Sequence, residues 1–566
     1  MPSPPRPSVP IEPPPLSPGA SRAYGRTFAL VLIAAAILAP QIVGRELLPP
    51  DEPRFALVAA ETYWRADPVL LTRGGEPYLD KPPLLIWGAA LGYALFGELN
   101  ETGAHLSSLV ASLVLAALLH RTCRRWFGEP AASAAVLVHL TTLLVLTRGA
   151  SVSTDPLLSL GVFACIAALT NAGASPSRAG LAAAAWLSLA LLAKGPVALA
   201  HLLAALLAAR LAGFGTLSAR PLLRVRPLAL LVLLLAPWPA LLALRVDDPA
   251  ALAESFWLHT AVRYVRPFDN VESWWFYGAS LAGGLFPWSL VLPAALARGR
   301  WRDLLRDERW RFLALWSFLV VSFFSLSAGK RNLYLLPIYP AMAIAIAASL
   351  PRPCETRSRR LVGAAFAICS VALLAAGTLV LLDPSGYGLL PESLPAVPDL
   401  RRGIVATTLV LAAGLAWATF AAFSRTERLV HGPAAAALAF SLLSPSLIVP
   451  AVNRVQGARE FGERLNEKIP LGATLGACRG KSDLVAWYAG RPVRFVETPE
   501  LVAEFLAQEG PAALVCRAEL LPPRRTWPPG ASTVMRGRIG RLPLSILAWG
   551  VPAGAAGPEP PPRPDS

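Results

Sequence analysis

Long apolar runs alternate with short polar stretches over the first 450 residues of the chain. Thirteen runs have about the length that crosses a hydrocarbon layer of roughly 30 Å as a helix. They lie near residues 28–44, 105–120, 131–147, 154–172, 179–193, 196–212, 226–244, 274–296, 310–327, 333–350, 361–382, 403–423 and 433–451. A shorter apolar stretch, 84–96, predicts a helix at the membrane interface. The pattern predicts a polytopic α-helical membrane protein with about thirteen transmembrane helices.

The pattern changes after the last apolar run. Residues 453–550 alternate helix-like and strand-like segments and predict a small soluble α/β domain. The predicted helices are 458–469, 482–489 and 499–508, and the predicted strands are 473–478, 493–496 and 512–517. Proline-rich residues 1–25 and 551–566 predict disordered ends. The membrane domain is then 26–452, with a first outer loop at 45–104.

Arginine positions predict the orientation of the chain in the membrane. Arginine clusters fall in alternate loops, and such clusters mark the cytoplasmic side. They are at residues 121–125, 220–226, 298–311 and 352–360. An odd number of spans puts the two chain ends on opposite sides. We therefore expect a protein of the cell (inner) membrane, with a cytoplasmic N-terminus. The first outer loop and everything after residue 452 would face the periplasm or the outside.

Composition agrees with a membrane protein and excludes a nucleic-acid-binding role. Hydrophobic residues make up 54% of the 566 residues, only 16% are charged, and the mean hydropathy is +0.50. The net charge of +16 is explained by cytoplasmic loops, and no nucleic-acid-binding motif occurs. The six cysteines contain no CxxC pair. Cys478 and Cys516 could form a disulfide if they end neighbouring strands in an oxidising compartment.

Two polar clusters in the first outer loop carry the candidate chemistry. Asp51 and Glu52 follow the first apolar run with Arg54 close behind, and Asp80-Lys81 precedes two prolines. Paired carboxylates and cations beside a membrane predict an enzyme that acts on a charged lipid head group. The alternatives are solvated loop charges and, for Lys81, a lysine that snorkels to the interface.

Lysine is rare in this chain, which makes its positions informative. Only five of the 52 cationic residues are lysines, and the three before residue 450 fall in predicted outer turns: Lys81, Lys194 and Lys330. Lys330 is followed by Arg331 and precedes Tyr334, a combination that fits a lipid phosphate. Chance placement is the alternative.

Two further residues have both a functional and a structural interpretation. Asp155 opens the fourth apolar run, either as a helix N-cap with Pro156 at the first helical position or as a second acid facing the site. His259 lies in the outer loop before the eighth run. With Asp80 it could contribute to a zinc or manganese site, although two ligands are too few to establish one. A lone histidine more often packs in a core.

Taken together and in this order, these motifs resemble the polytopic C-type glycosyltransferases. They are most similar to the bacterial lipid A aminoarabinose transferase family, a relative of the protein O-mannosyltransferases. The matching segments are Asp51 to Ala56, Tyr78-Leu79-Asp80-Lys81-Pro82-Pro83, Lys194-Gly195-Pro196 and Gly329 to Pro337. The resemblance extends over about residues 28–350. Asp80 and Phe55 stand where the family has Glu and Tyr.

The resemblance implies inverting transfer of a sugar from a polyprenyl-phosphate donor to a lipid, glycan or protein acceptor at the outer face of the membrane. It implies that Asp51 is catalytic with Asp155 as a second acid, and we place Glu52 with them. By the resemblance, the residues that contact the carrier phosphate would be Arg54, Tyr78, Lys81 and Tyr334. Lys330 is added to them because it lies in the same turn as Tyr334. Asp80 and His259 match the family's pair of contacts to a divalent metal ion.

Two other functions would suit a protein with so many spans. A lipid or solute transporter places ionisable groups near the bilayer midplane and often contains inverted repeats. In this chain the charges fall in outer loops, and no clear repeat is found. A purely structural membrane scaffold leaves the outer lysines and paired carboxylates unexplained.

Overall fold

The computed structural model describes residues 18–171, 173, 175–246, 271–297, 300–350, 355–382, 398–424, 428–478, 480–540 and 542–551. Most of them form apolar helices that pack around one continuous buried core. The membrane part contains helices Pro18–Leu38, Glu101–Phe127, Glu129–Thr141, Leu143–Arg148, Thr154–Thr170, Pro176–Lys194, Val197–Ala212, Val225–Leu235, Pro237–Ala243, Phe276–Gly284, Trp288–Leu296, Arg300–Arg306, Glu308–Leu326, Tyr339–Ser349, Thr356–Leu382, Pro398–Phe423, His431–Leu447 and Val449–Gln456. The polytopic helical fold is confirmed.

Eight helices among the described residues are long and apolar enough to cross a membrane, or nine if a bent pair counts as one span. Several predicted spans are shorter or broken. The predicted span 131–147 is divided at Thr142, whose backbone is extended, and the predicted span 274–296 is divided before Trp288, next to Pro287. Proline and extended residues interrupt the helical hydrogen-bond ladder. The number thirteen stays a prediction.

The first outer loop folds into two helices and a hairpin. Helix Asp51–Arg65 begins with both acidic residues in its first turn, where a carboxylate stabilises the positive end of the helix dipole. A short antiparallel hairpin follows, formed by β1 (Thr72–Arg73) and β2 (Glu76–Pro77). Helix Leu84–Phe96 then begins directly after Pro83. These elements hold the predicted site residues of the loop on ordered backbone.

The C-terminal part forms a five-stranded sheet with helices. The strands are β3 (Thr474–Cys478), β4 (Arg494–Val496), β5 (Ala512–Arg517), β6 (Ser532–Ile539) and β7 (Leu542–Trp549), in the order β4-β3-β5-β7-β6. Strand β3 runs parallel to β4 and β5, whereas β7 is antiparallel to β5 and β6. The helices are Ala458–Lys468, Ser482–Ala489 and Pro499–Leu506. All six predicted elements are confirmed to within about two residues at each end.

The C-terminal unit also contains a disulfide and a β-hairpin. The structure contains a disulfide between Cys478 and Cys516, at the ends of the neighbouring strands β3 and β5, so the condition for this possible pairing is met. The β6–β7 hairpin was missed. Strand β6 has the sequence Ser-Thr-Val-Met-Arg-Gly-Arg-Ile, in which two arginines and a glycine weaken the strand signal.

Candidate active site

Asp51 lies between two arginines that come from distant parts of the chain. Its Oδ1 accepts a hydrogen bond of 2.8 Å from Nη2 of Arg54, one helical turn further on. Its Oδ2 accepts from Nη2 of Arg331, in the turn before segment Asn332–Ile338. The three side chains are 16%, 24% and 25% exposed. The cluster is therefore partly covered but open to a ligand.

The backbone of Arg331 is held in place by a buried tyrosine. The hydroxyl of Tyr277 donates to the carbonyl of Arg331 at 3.3 Å, and the amide of Arg331 donates to the oxygen of the Tyr277 hydroxyl at 3.4 Å. Tyr277 is only 1% exposed. A cation whose backbone is fixed in this way loses less conformational entropy when it binds an anion.

A second ion pair lies beside the first. Nζ of Lys194 donates to Oδ1 of Asp155, and the same ammonium lies 4.9 Å from the centre of the Tyr334 ring. Asp155 does not act as an N-cap, because helix Thr154–Thr170 is preceded by Ser153 and places Asp155 within its first turn. The N-cap alternative is wrong, and Asp155 faces Lys194 instead.

The two pairs form one electrostatic unit. The charge of Lys194 acts on Asp51, and the charge of Asp155 acts on Arg331. Burial by itself would raise the pKa of Asp51. The hydrogen bond from Arg331 and the charges of Arg331, Arg54 and Lys194 outweigh that effect and hold the pKa below its ordinary 3.8. Three cations against two carboxylates, 3 − 2, leave a net charge of +1.

Glu52 faces away from this cluster into the protein. It is 2% exposed and accepts hydrogen bonds from Nη2 of Arg45 at 2.9 Å and from the amide of Leu48 at 2.8 Å. Arg45 also reaches Nε2 of His105 at 2.8 Å. Burial opposes ionisation of Glu52, but Arg45 and His105 lower its pKa. The arrangement fits a residue that positions the start of helix Asp51–Arg65.

Tyr78 and Arg54 have buried polar atoms that no described residue satisfies. They are the hydroxyl of Tyr78, whose residue is 5% exposed, and Nε of Arg54. The charges of Arg54 and Asp51 both act on Tyr78, so these groups lie close together, and burial raises the pKa of the tyrosine. Because a buried donor without a partner costs free energy, the two atoms are suited to an oxyanion.

The other predicted phosphate contacts are placed differently. Lys330 is 4% exposed, and its Nζ donates to the carbonyl of Glu272 at 2.9 Å, next to a bridge between Val271 and Gly329. Lys81 donates to the carbonyl of Asp80 at 2.9 Å and is half-buried, as is Asp80. The structure thus brings Asp51, Arg54, Asp155 and Tyr334 together, whereas Lys330 joins the neighbouring segment.

A cavity of about 280 Å³ borders the same turn. This volume is close to the lower limit for small-ligand sites. Its lining residues are Glu272, Ser273, Trp275, Phe276, Ala279, Ser280 and Asn332. The cavity is lined by Asn332, which directly follows Arg331 in the chain.

The predicted metal pair is only half described. Asp80 lies in the first outer loop, and His259 is outside the described residues. Within the described part of the chain, no group of three His, Cys, Asp or Glu side chains could hold a metal ion.

Arg331 and Lys194 belong to the site, although their sequence context did not identify them as site residues. Both belong to turns that were noted, Gly329 to Pro337 and Lys194-Gly195-Pro196, and the rarity of lysine pointed to the second. The residues that surround each cation in the sequence do not indicate the carboxylate with which it pairs. Sequence separations of 280 and 39 residues hid the pairs Arg331–Asp51 and Lys194–Asp155.

The chain is similar in sequence to known membrane glycosyltransferases. The family described as dolichyl-phosphate-mannose-protein mannosyltransferase matches residues 80–241. An undecaprenyl phosphate-alpha-4-amino-4-deoxy-L-arabinose arabinosyl transferase of Sodalis glossinidius is 33% identical over 435 residues, which cover 72% of each chain. The Pseudomonas aeruginosa PAO1 protein described by the same activity is 34% identical over 329 residues, 56% of this chain and 58% of that one.

Solved structures share the fold. The structure of ArnT from Cupriavidus metallidurans bound to undecaprenyl phosphate superposes with a TM-score of 0.76 at 20% identity, covering 95% of this chain and all of that one. An oligosaccharyltransferase of Archaeoglobus fulgidus gives a TM-score of 0.50 at 14% identity, covering 87% of this chain and 69% of that one.

Proposed function

The chain belongs to the family of undecaprenyl phosphate-alpha-4-amino-4-deoxy-L-arabinose arabinosyl transferases, and we propose that it transfers a pentose from a polyprenyl-phosphate carrier to a phosphate group of a lipid. It is an integral membrane glycosyltransferase with the C-type fold. The transporter and scaffold alternatives are thereby set aside. The site would face the periplasm or the outside, which the disulfide Cys478–Cys516 supports because disulfides persist in oxidising compartments.

One observation carries the choice of acceptor: the two arginines on Asp51. A general base works best when its pKa is near the working pH. Arg331 and Arg54 lower the pKa of Asp51, which makes it a poor proton acceptor. A hydroxyl acceptor has a proton to lose, whereas a phosphate monoester reaches the site already ionised. The electrostatics therefore support a phosphate acceptor.

The reaction with a phosphate acceptor balances without a proton. An oxygen of the acceptor phosphate bonds to C1 of the sugar while the bond from C1 to the carrier phosphate breaks, with inversion at C1. The donor changes from a phosphodiester with one negative charge to a monoester with two, and the acceptor changes in the opposite sense. Total charge is conserved, so the site has only to stabilise its redistribution.

The described residues divide into two roles in this scheme. Arg54 and Tyr78 have unpartnered buried polar atoms, which suits them to the carrier phosphate. Arg331 pairs with the other carboxylate oxygen of Asp51, and Lys194 pairs with Asp155, so these two cations suit the second phosphate. Asp51 and Asp155 would orient the cations.

The acceptor proposal is tested with purified protein in nanodiscs, using a radiolabelled polyprenyl-phosphate pentose. One acceptor is a glycolipid with a phosphate monoester, and the control acceptor is the same lipid after phosphatase treatment. We expect label only on the phosphorylated lipid, through a linkage that mild acid cleaves. Equal labelling of the dephosphorylated lipid would show a hydroxyl acceptor and contradict the proposal.

A further inference from the structure

One short helix of the C-terminal sheet unit contacts the first outer loop with three polar side chains. This docking helix, Ser482–Ala489, carries Asp483, Trp487 and Tyr488. Residues four apart in a helix share a face, so Asp483 and Trp487 both point toward the loop. Each of the three side chains has a different partner there.

Asp483 forms the most specific of these contacts. Its Oδ1 and Oδ2 accept hydrogen bonds from Nε and Nη2 of Arg73 at 2.7 and 3.0 Å, a two-pronged ion pair. The guanidinium also lies 5.3 Å from the centre of the Phe495 ring. Gly74 packs against that ring so closely that a Cβ atom would come within 2.6 Å of it. The hairpin of the outer loop therefore fits against the sheet unit.

The same hairpin is held from its other side by the helix that carries Asp51. Glu61 of helix Asp51–Arg65 is 6% exposed and accepts hydrogen bonds from the amides of Gly74 at 2.6 Å and Gly75 at 3.3 Å. Thr72 donates its hydroxyl to the same carboxylate. The hairpin is thus fixed between Glu61 of the membrane part and Asp483 of the C-terminal unit.

The hairpin leads directly into the candidate phosphate contacts. The amide of Tyr78 donates to the carbonyl of Leu71 at 2.8 Å, which closes the hairpin immediately before Asp80 and Lys81. A shift of the hairpin would therefore move the hydroxyl of Tyr78 relative to Arg54. Displacements of about 1 Å can reduce catalysis by about 100-fold.

The other two side chains fix neighbouring parts of the same loop. Nε1 of Trp487 donates to the hydroxyl of Tyr93 at 3.1 Å, which in turn donates to the carbonyl of Ala56 at 3.2 Å. The hydroxyl of Tyr488 accepts from the amide of Leu47 at 3.0 Å and donates to Glu101 at 3.1 Å.

We propose that the C-terminal sheet unit is a positioning element of the active site, and that Asp483 is a positioning residue that sets the donor-phosphate contacts through Arg73 and the hairpin. This role rests on the proposed function, since that function assigns Arg54 and Tyr78 to the carrier phosphate. It gives the unit a part in catalysis although none of its described side chains is in the Asp51 cluster. The effect should appear in use of the donor.

Steady-state kinetics of Asp483→Asn provide the first measurement. The substitution keeps the shape of the side chain and removes the charge that holds Arg73. We expect kcat/KM for the donor to fall by about 10- to 100-fold, with a smaller change in KM for the acceptor. Asp483→Glu, which keeps the charge, should recover part of the loss. The matched control is Glu504→Gln, which breaks the exposed 2.8 Å pair with Arg494 in the same unit and should leave kinetics unchanged.

Hydrogen exchange gives a readout that does not depend on activity. Amides 71–78 should exchange at least about tenfold faster in Asp483→Asn, with the membrane helices unchanged. If Asp483→Asn does not fold, Arg73→Gln breaks the same pair from the loop side. Unchanged donor kinetics or unchanged exchange of the hairpin in a folded variant would overturn the proposal. A wild type without transfer would instead contradict the proposed function, and the exchange data would still decide the role of Asp483.

Discussion

Arg331 and Asp51 lie 280 residues apart in the chain, yet the guanidinium of Arg331 donates a hydrogen bond to Oδ2 of the Asp51 carboxylate. This contact joins the turn after helix Glu308–Leu326 to the first turn of helix Asp51–Arg65. It couples two motifs that the sequence shows only as separate polar segments. It also accounts for the lowered pKa of Asp51, because a nearby cation favours the charged form.

Substitution of either member of this pair should abolish most transfer. We expect Arg331→Gln and Asp51→Asn each to lower kcat by about 100- to 1000-fold, because a fixed charge that acts on the reacting groups is lost. Transfer of radiolabelled pentose in nanodiscs measures the effect. Arg245→Gln is the control, since Arg245 pairs with Asp67 at 3.2 Å elsewhere in the structure. Near-normal turnover in both site variants would remove the pair from the mechanism.

Glu52→Gln should chiefly affect stability. The substitution leaves Arg45, whose side chain is 14% exposed, without its buried counter-charge. Loss of one partner of a buried pair commonly costs about 3–5 kcal/mol. Thermal unfolding in detergent should therefore show a lower midpoint for Glu52→Gln than for Asp51→Asn. If Glu52→Gln retains the wild-type midpoint but loses turnover, Glu52 acts in catalysis rather than in positioning.

The pH dependence of activity should reflect the lowered pKa of Asp51. Because Arg331 and Arg54 hold that pKa below its ordinary 3.8, Asp51 stays ionised and produces no acid limb at neutral pH. In Arg331→Gln this carboxylate loses a cation, so any acid limb should move to higher pH. Profiles of kcat/KM for the wild type and the variant test this. A wild-type limb between pH 5 and 7 that disappears in Asp51→Asn would contradict it.

Acid should destabilise the fold through Glu52. The folded-state pKa of Glu52 is below its ordinary 4.5, so its contribution to stability is fully present above about pH 4.5 and is lost as the pH falls. Unfolding midpoints of the wild type should therefore decline below that pH more steeply than those of Glu52→Gln. Parallel declines in the two proteins would show that Glu52 does not contribute.

The disulfide gives a test of orientation. Cys478 and Cys516 are as buried as Cys123, Cys165 and Cys369, so the protein is unfolded in denaturant before it is labelled. In the unfolded protein, a maleimide should label Cys478 and Cys516 only after a reductant has been added, because a pair that faces outward stays oxidised. The double variant Cys478→Ser/Cys516→Ser should show no reductant-dependent labelling.

Reporter fusions give a second test of orientation. Reporters fused after Arg125 and after Arg454 should indicate opposite sides of the membrane. A cytoplasmic location for both reporters would refute the orientation.

The metal hypothesis for Asp80 and His259 requires its own measurement. Carboxylate and imidazole suit zinc, and with two protein ligands we expect a weak, exchangeable site. Elemental analysis of purified protein should show sub-stoichiometric zinc that decreases in His259→Ala. No zinc in either protein, together with turnover that is unaffected by chelator, would leave the cations of the Asp51 cluster to stabilise the leaving phosphate.

Hydrophobic pattern and turn chemistry determined much of this protein without any tertiary information. The polytopic fold follows from apolar runs of membrane length. In lipid no water is present to bond the backbone N–H and C=O groups, and a helix satisfies these hydrogen bonds within one segment. The six predicted elements after residue 457 follow from local periodicity, whereas the Cys478–Cys516 pair also required strands β3 and β5 to be neighbours. The motifs around Asp51, Tyr78, Lys194 and Gly329 identified the polar segments that carry the candidate chemistry.

The tertiary structure alone decided which charged groups meet. Asp51 and Glu52 are adjacent, but consecutive residues in a helix point in different directions, so one faces Arg331 and the other is buried against Arg45. Lys330 and Arg331 are adjacent too, and only Arg331 reaches the site. Sequence spacing sets the direction of a side chain along one element. Its partner is set by how distant elements pack, and that depends on the whole core.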